Sequence, residues 1–396
     1  MWTLPRPVWL LGWVSLFTDS ASEAIYAILP FFLTRVLGAT VVSVGIIEGA
    51  AEAANSLLKV ASGYFSDRFR LKRPVVLAGY AISSVIRPLT GLATIWEEVL
   101  AIRFVDRIGK GIRGAPRDAM LASWARPETR GRVYGFHRAM DNTGAVVGPL
   151  FAAAFLLVFP ERYRELFGMT VIPGAMAVAL LLWLPETPAA GRPASPAAAD
   201  PPPPIRLGDL PRPLAVFLAI LALFTLGNST DAFLLLRLTD VEGSPITVLL
   251  LWAGFNAVKA ALATPGGVLS DRLGRRRVIA AGWLMYAVVY AGFAFSRSGL
   301  ALTGWFFVYG LYYALTEGAE RALMADLAPA SMRGTVFGLY NAVLGIGSLV
   351  ASVVFGVIWK LAGAPVAFGV GAILAVVSTL LLLVFVLPGA GAREER

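Results

Sequence analysis

The chain alternates long apolar runs with short clusters of charged or helix-breaking residues. The stretch 366–387 carries no charge at all, and other runs are nearly as long. Barrel strands alternate polar and apolar positions over about ten residues, and these continuous runs do not. A bilayer core about 30 Å thick needs about 20 apolar residues per helix. On that measure twelve spans are predicted, at 9–35, 41–66, 74–94, 97–122, 132–158, 167–184, 214–238, 246–269, 278–296, 300–325, 334–361 and 365–388. Between the sixth and the seventh, prolines at 185, 188, 193, 196, 201–204, 211 and 213 forbid a long helix. Such a segment favours extended, semi-rigid conformations. The expected fold class is therefore an all-α membrane protein. It has two six-helix bundles, 1–184 and 214–396, joined by a Pro-rich cytoplasmic linker at 185–213.

Composition agrees. The 396 residues are 57% hydrophobic and 15% charged, against about 45–50% and about 25% in soluble domains. A water-soluble enzyme is excluded on that ground. The net charge of +9 sits on alternate loops. Arg68, Arg70, Lys72 and Arg73 follow the second span, and Arg126, Arg130 and Arg132 lie between the fourth and fifth. Arg272, Arg275, Arg276 and Arg277 follow the eighth, and Arg333 precedes the eleventh. The positive-inside rule then places both termini in the cytoplasm of an inner-membrane protein. The charge reads as an orientation signal, and no nucleic-acid partner is expected. With no cysteine and a single histidine, His137, no thiolate or multi-histidine metal site is expected. No cofactor fingerprint, P-loop or nucleophile triad is legible, so no enzyme activity is predicted. No leader-cleavage pattern follows residues 1–7.

The two halves repeat. Gly63, Asp67 and Arg68 match Gly267, Asp271 and Arg272 at an offset of 204. Arg130, Gly131 and Gly135 match Arg333, Gly334 and Gly338 at 203, and Glu23-Ala24 matches Asp231-Ala232 at 208. The bundles are thus expected to be pseudo-symmetric. Parallel six-helix repeats occur in secondary transporters, whose solute sites lie near the bilayer midplane.

Gly267, Asp271, Arg272, Gly274, Arg275 and Arg276 resemble the loop motif of the major facilitator superfamily, and the resemblance extends over essentially the whole chain. The first half departs from it, with Arg70 where Gly is expected and Leu71 where Arg is expected. The segment from Asp106 to Asp118 is similar to a prokaryotic subgroup largely without assigned substrates. The resemblance implies alternating access. It also implies a gating cluster in which Asp67, Arg73 and a fourth-span acid such as Asp118 act together. Gly144, Gly148 and Pro149 resemble the family's antiporter motif, which favours efflux, although Phe151-Ala152 replaces its closing glycines.

Charges inside spans cost about 2.5–3.5 kcal/mol each on insertion scales and usually face a cavity or a partner. Asp19 and Glu23 lie four apart, on one helix face. Two carboxylates so placed resist simultaneous ionisation, which suits proton uptake. With Asp231 they are the proton-coupling candidates. Glu52 and Lys59 share a face of the second span. Arg103, Asp106, Lys110 and Arg113 share one of the fourth, and Arg138 and Asp141 lie on the fifth. These eight are the solute-cavity candidates. The competing reading makes them internal ion pairs, Asp106 with Lys110, Arg138 with Asp141 and Glu317 with Arg321 among them. The predicted protein is a monomeric, proton-coupled carrier of a small solute in the lipid bilayer. Alternatives are proton-driven uptake of an organic anion, with Arg103 or Arg113 holding the anion, and a non-transporting scaffold or sensor.

Overall fold

A computed structural model describes residues 4–69, 72–125, 130–185, 210–328 and 333–386. The described residues are helical almost throughout, with no strand among them. The helices, in chain order, are α1 (Arg6–Tyr26), α2 (Leu29–Phe31), α3 (Val41–Phe69), α4 (Lys72–Ile86) and α5 (Trp96–Trp124). There follow α6 (Arg130–Val158), α7 (Tyr163–Met169), α8 (Val171–Leu182), α9 (Arg212–Gly227) and α10 (Ala232–Glu242). The chain ends with α11 (Pro245–Leu273), α12 (Arg275–Phe295), α13 (Gly299–Leu327), α14 (Arg333–Ala362) and α15 (Ala364–Phe385). A π-helical turn at Phe32–Val36 continues the first span, and a 3-10 segment at Arg87–Leu92 continues the third, where Pro88 removes a donor. Most of the expected linker, 186–209, and the tail from 387 lie outside the described residues.

Local chemistry sets the helix ends. Proline occupies the first turn of α1, α9, α11 and α15, where its missing N–H leaves nothing unpaired. Glu98 accepts from the Thr94 and Ile95 N–H groups at the start of α5. Gly274 (φ +89°) and Gly363 (φ +88°) make the turns into α12 and α15, in a region closed to most side chains.

Ten segments are long and apolar enough to cross a membrane. The two long helices that fall short are α5 and α13. Each has 29 residues, about 44 Å at 1.5 Å per residue, so length is not the deficit. They occupy the same place in the two repeats. With them the chain has the expected twelve spans in two pseudo-symmetric sets.

Two compact units form. One comprises residues 1–37 and 50–203, the other residues 38–49 and 204–396, so the start of α3 clusters with the second unit. Within the first, α1 packs on α6 and α8, and α4 packs on α5 and α8. Within the second, α9 packs on α14 and α15, and α12 packs on α13 and α15. Glycines permit the tightest approaches. A Cβ at Gly144 or Gly148 of α6 would strike the Leu16 or Ser20 carbonyl of α1. A Cβ at Gly79 would lie 2.6 Å from the Gly109 carbonyl, and one at Gly109 2.7 Å from that of Gly79.

Candidate functional site

In the first unit the charged stripe of α5 faces α1 and α4. Asp106 is 1% exposed. Arg87, from the 3-10 segment, donates to its Oδ1 at 2.9 Å and to the Thr18 carbonyl at 3.1 Å. Arg103 Nη1 lies 3.8 Å from Asp106 Oδ2, and its guanidinium stands 5.6 Å from the Tyr26 ring centroid. Arg113 donates to Ser83 Oγ at 2.7 Å and to the Gly79 carbonyl at 3.3 Å, with the Tyr80 ring 4.2 Å from its guanidinium. The i,i+4 pairing expected of Asp106 with Lys110 therefore gives way to a cross-helix pair with Arg87. A forked, planar guanidinium reaches across helices where an ammonium on the same helix does not. Lys110 instead lies within Coulomb range of Asp19 and Glu23.

Asp19 faces Asp141, Lys110, Arg113 and Arg117 electrostatically. Asp141 accepts from Ser15 and lies 3.5 Å from His137 Nδ1. Arg138, expected beside Asp141, is exposed. Glu52 accepts from Asn55 at 3.3 Å and Ser56 at 3.2 Å on its own helix. Lys59 runs past Gly114 of α5.

The gating residues divide. For Gly63, Asp67 and Arg68 only the helical backbone is described. Asp118 pairs with Arg117 at 3.0 Å, its chain neighbour. Arg73 donates to the Leu182 carbonyl at the end of α8, 3.0 Å away. The expected Arg73–Asp118 association is thus replaced by two separate contacts, because a free helix C-terminus is itself a good partner for a cation. In the second unit Arg276 does the same, donating to the Val386 carbonyl after α15 at 2.6 Å. Asp271 and Asp326 both hold Arg275, at 2.9 and 2.6 Å. Arg272 is exposed, and Gly267 has open space around it.

The second unit carries rings where the first carries charges. The offset of 203 that relates α5 to α13 sets Asp106 against Tyr309, Lys110 against Tyr313 and Arg117 against Glu320. It also sets Arg87 against Tyr290. Asp231 accepts from Tyr309 at 2.8 Å and Tyr313 at 3.1 Å. Lys259 Nζ stands 4.7 Å from the Tyr313 ring centroid. Glu320 accepts from Trp283 Nε1 at 2.8 Å and from the Tyr340 hydroxyl at 3.3 Å. Arg87, Ser83, Trp283 and Tyr340 are absent from the expected set, and Glu320 was weighed there only as one of several charges. Arg87 and Glu320 carried a signal, each being a charge deep in an apolar run. The other three carry none apart from their partners.

Two helical repeats with charges and rings turned inward define a polytopic membrane transporter. The sequence profile of the Major Facilitator Superfamily matches residues 8–252 and 232–396. An uncharacterized MFS-type transporter of Methanocaldococcus jannaschii is 34% identical over 386 residues, 96% of this chain and 95% of the relative. A multidrug resistance protein, MdtH, of Edwardsiella ictaluri is 25% identical, covering 78% of this chain and 76% of its own. Among solved structures, the nucleoside transporter NupG superposes with a TM-score of 0.76 at 13% identity, covering 96% of this chain and 99% of that one. The chain belongs to the major facilitator superfamily. It is a multi-pass transporter of small solutes and not an enzyme.

Proposed function

We propose that the protein is a proton-coupled secondary transporter working by alternating access, and that it exports its solute in exchange for protons. The observation that carries the reading is the placement of Asp19. It shares a Coulomb neighbourhood with a second carboxylate, Asp141, and with Lys110, inside a span where structural charges would be expected to be paired. Two carboxylates and a lysine within reach of one another change charge together as a proton arrives or leaves. Asp19, Glu23 and Asp231 are the coupling residues in this reading. The antiporter-like Gly144, Gly148 and Pro149, and the similarity to a protein named for multidrug resistance, favour export. Organic-anion uptake through Arg113 is less well supported, since Ser83, the Gly79 carbonyl and Tyr80 already engage that side chain.

The test is flux in proteoliposomes under an imposed pH gradient, with labelled amines, organic anions and sugars as a panel. The doubly neutralised Asp19→Asn, Glu23→Gln variant should keep its size-exclusion profile and lose gradient-driven flux. Undiminished flux in that variant would refute the coupling assignment.

A further inference from the structure

The second unit contains a cavity of about 230 Å³, walled by Phe224, Tyr312, Tyr313 and Leu344, into which Glu320 faces. That volume equals about seven or eight waters at about 30 Å³ each, or one small ring with a short tail. Glu320 is 7% exposed. Both of its oxygens accept from neutral donors, the Trp283 indole and the Tyr340 hydroxyl, so among the described residues no ion pair offsets its charge. Two cations share the cavity wall, and each has an engagement of its own. Lys259 lies over the Tyr313 ring, and Arg321 Nη2 is 3.5 Å from Glu317. Phe224 is stacked on Trp283 with centroids 4.3 Å apart, which holds its ring in place. Ring faces attract cations and repel anions, and a buried carboxylate among such rings does the same. The counterpart of Glu320 in the first repeat is Arg117, so the feature belongs to the second repeat alone.

We propose that this cavity binds an organic cation, a protonated monoamine on a single-ring or alkyl body, with Glu320 as its counter-ion. The proposal rests on the reading of the chain as a solute carrier and names the class of solute. Full-length protein purified in detergent would be titrated calorimetrically with phenethylammonium and with its shape-matched anion, 3-phenylpropionate. Wild type should bind the amine and not the acid. Glu320→Gln, and separately Asn228→Lys, which puts a resident cation on the cavity wall, should each weaken amine binding by about tenfold or more, about 1.4 kcal/mol. Glu317→Gln should stay within about threefold. Because either variant could disturb folding, a second measurement uses wild type alone. Dicyclohexylcarbodiimide labelling of Glu320, read by mass spectrometry, should fall when phenethylammonium is present and not when 3-phenylpropionate is. Amine binding that is absent in wild type, matched by the acid, or undiminished in Glu320→Gln would overturn the proposal, as would labelling that the amine leaves unchanged. The carrier reading fails separately. Protein that binds the amine through Glu320 yet moves no solute in liposomes would refute transport and leave the site standing.

Discussion

Removing Arg87 or Asp106 tests whether the α5 stripe holds the first unit together. Their charged atoms are 2.9 Å apart, with side chains 6% and 2% exposed. At a charge separation of about 4 Å and an effective dielectric of about 20, the attraction is about 4 kcal/mol. Breaking a buried pair from one side typically costs about 3–5 kcal/mol, because the orphaned charge stays buried. The two single variants should differ. Arg87→Leu leaves Asp106 with Arg103 at 3.8 Å, so the loss falls near the bottom of that range, about 3 kcal/mol. Asp106→Leu leaves Arg87 and Arg103 facing one another without an anion between them, so its loss falls near the top, about 5 kcal/mol. The double variant should recover about 2–3 kcal/mol relative to the sum of the singles. Unfolding in mixed micelles, followed by tryptophan fluorescence, measures all four corners of the cycle. Strict additivity, or an Arg87→Leu variant within about 0.5 kcal/mol of wild type, would show that the pair does not organise the bundle.

Two further outcomes are expected. Gly148→Val should force α1 away from α6 at the Ser20 carbonyl, costing about 1–3 kcal/mol or more. Fluorescence-detected size exclusion should show aggregation, while Gly135→Val, with open space at its Cβ, stays monodisperse. Arg276→Ala and Arg73→Ala should each lose a hydrogen bond from a charged donor, about 1–2 kcal/mol. Hydrogen exchange should rise in the last turn of α15 and of α8 respectively; unchanged exchange there would refute the capping role.

The spans were legible because charges and breakers bound each one. The run from Pro245 to Leu273, for example, lies between Gly243 and Gly274. Interruptions inside spans were less so. The turn at Ala27–Ile28 has only Pro30 to announce it, and the non-helical Asn228–Thr230 segment has only weak helix formers. Site residues followed the same division. Spacing along one helix put Asp19 with Glu23 and exposed the stripe on α5. Partners across helices follow from tertiary packing alone, so Arg87 with Asp106, 19 residues apart, and Trp283 with Glu320, 37 apart, stayed hidden. The fork of Arg87 outcompeted the local choice of Lys110, and no periodicity encodes that contest.

Helix α5 falls short of the apolarity needed to enter a bilayer unaided, and Arg103, Asp106, Lys110 and Arg113 lie in its middle. Each isolated charge there opposes insertion by about 2.5–3.5 kcal/mol. Its natural escort is already synthesised, since α4 and the 3-10 segment carry Ser83 and Arg87, the groups that will hold Arg113 and Asp106. Biogenesis of the first half is therefore a joint entry of two helices, and a ribosome-bound chain truncated before α5 should leave Arg87 stranded in the membrane. Helix α13, whose middle offers hydroxyls and rings in place of charges, needs no such companion to the same degree.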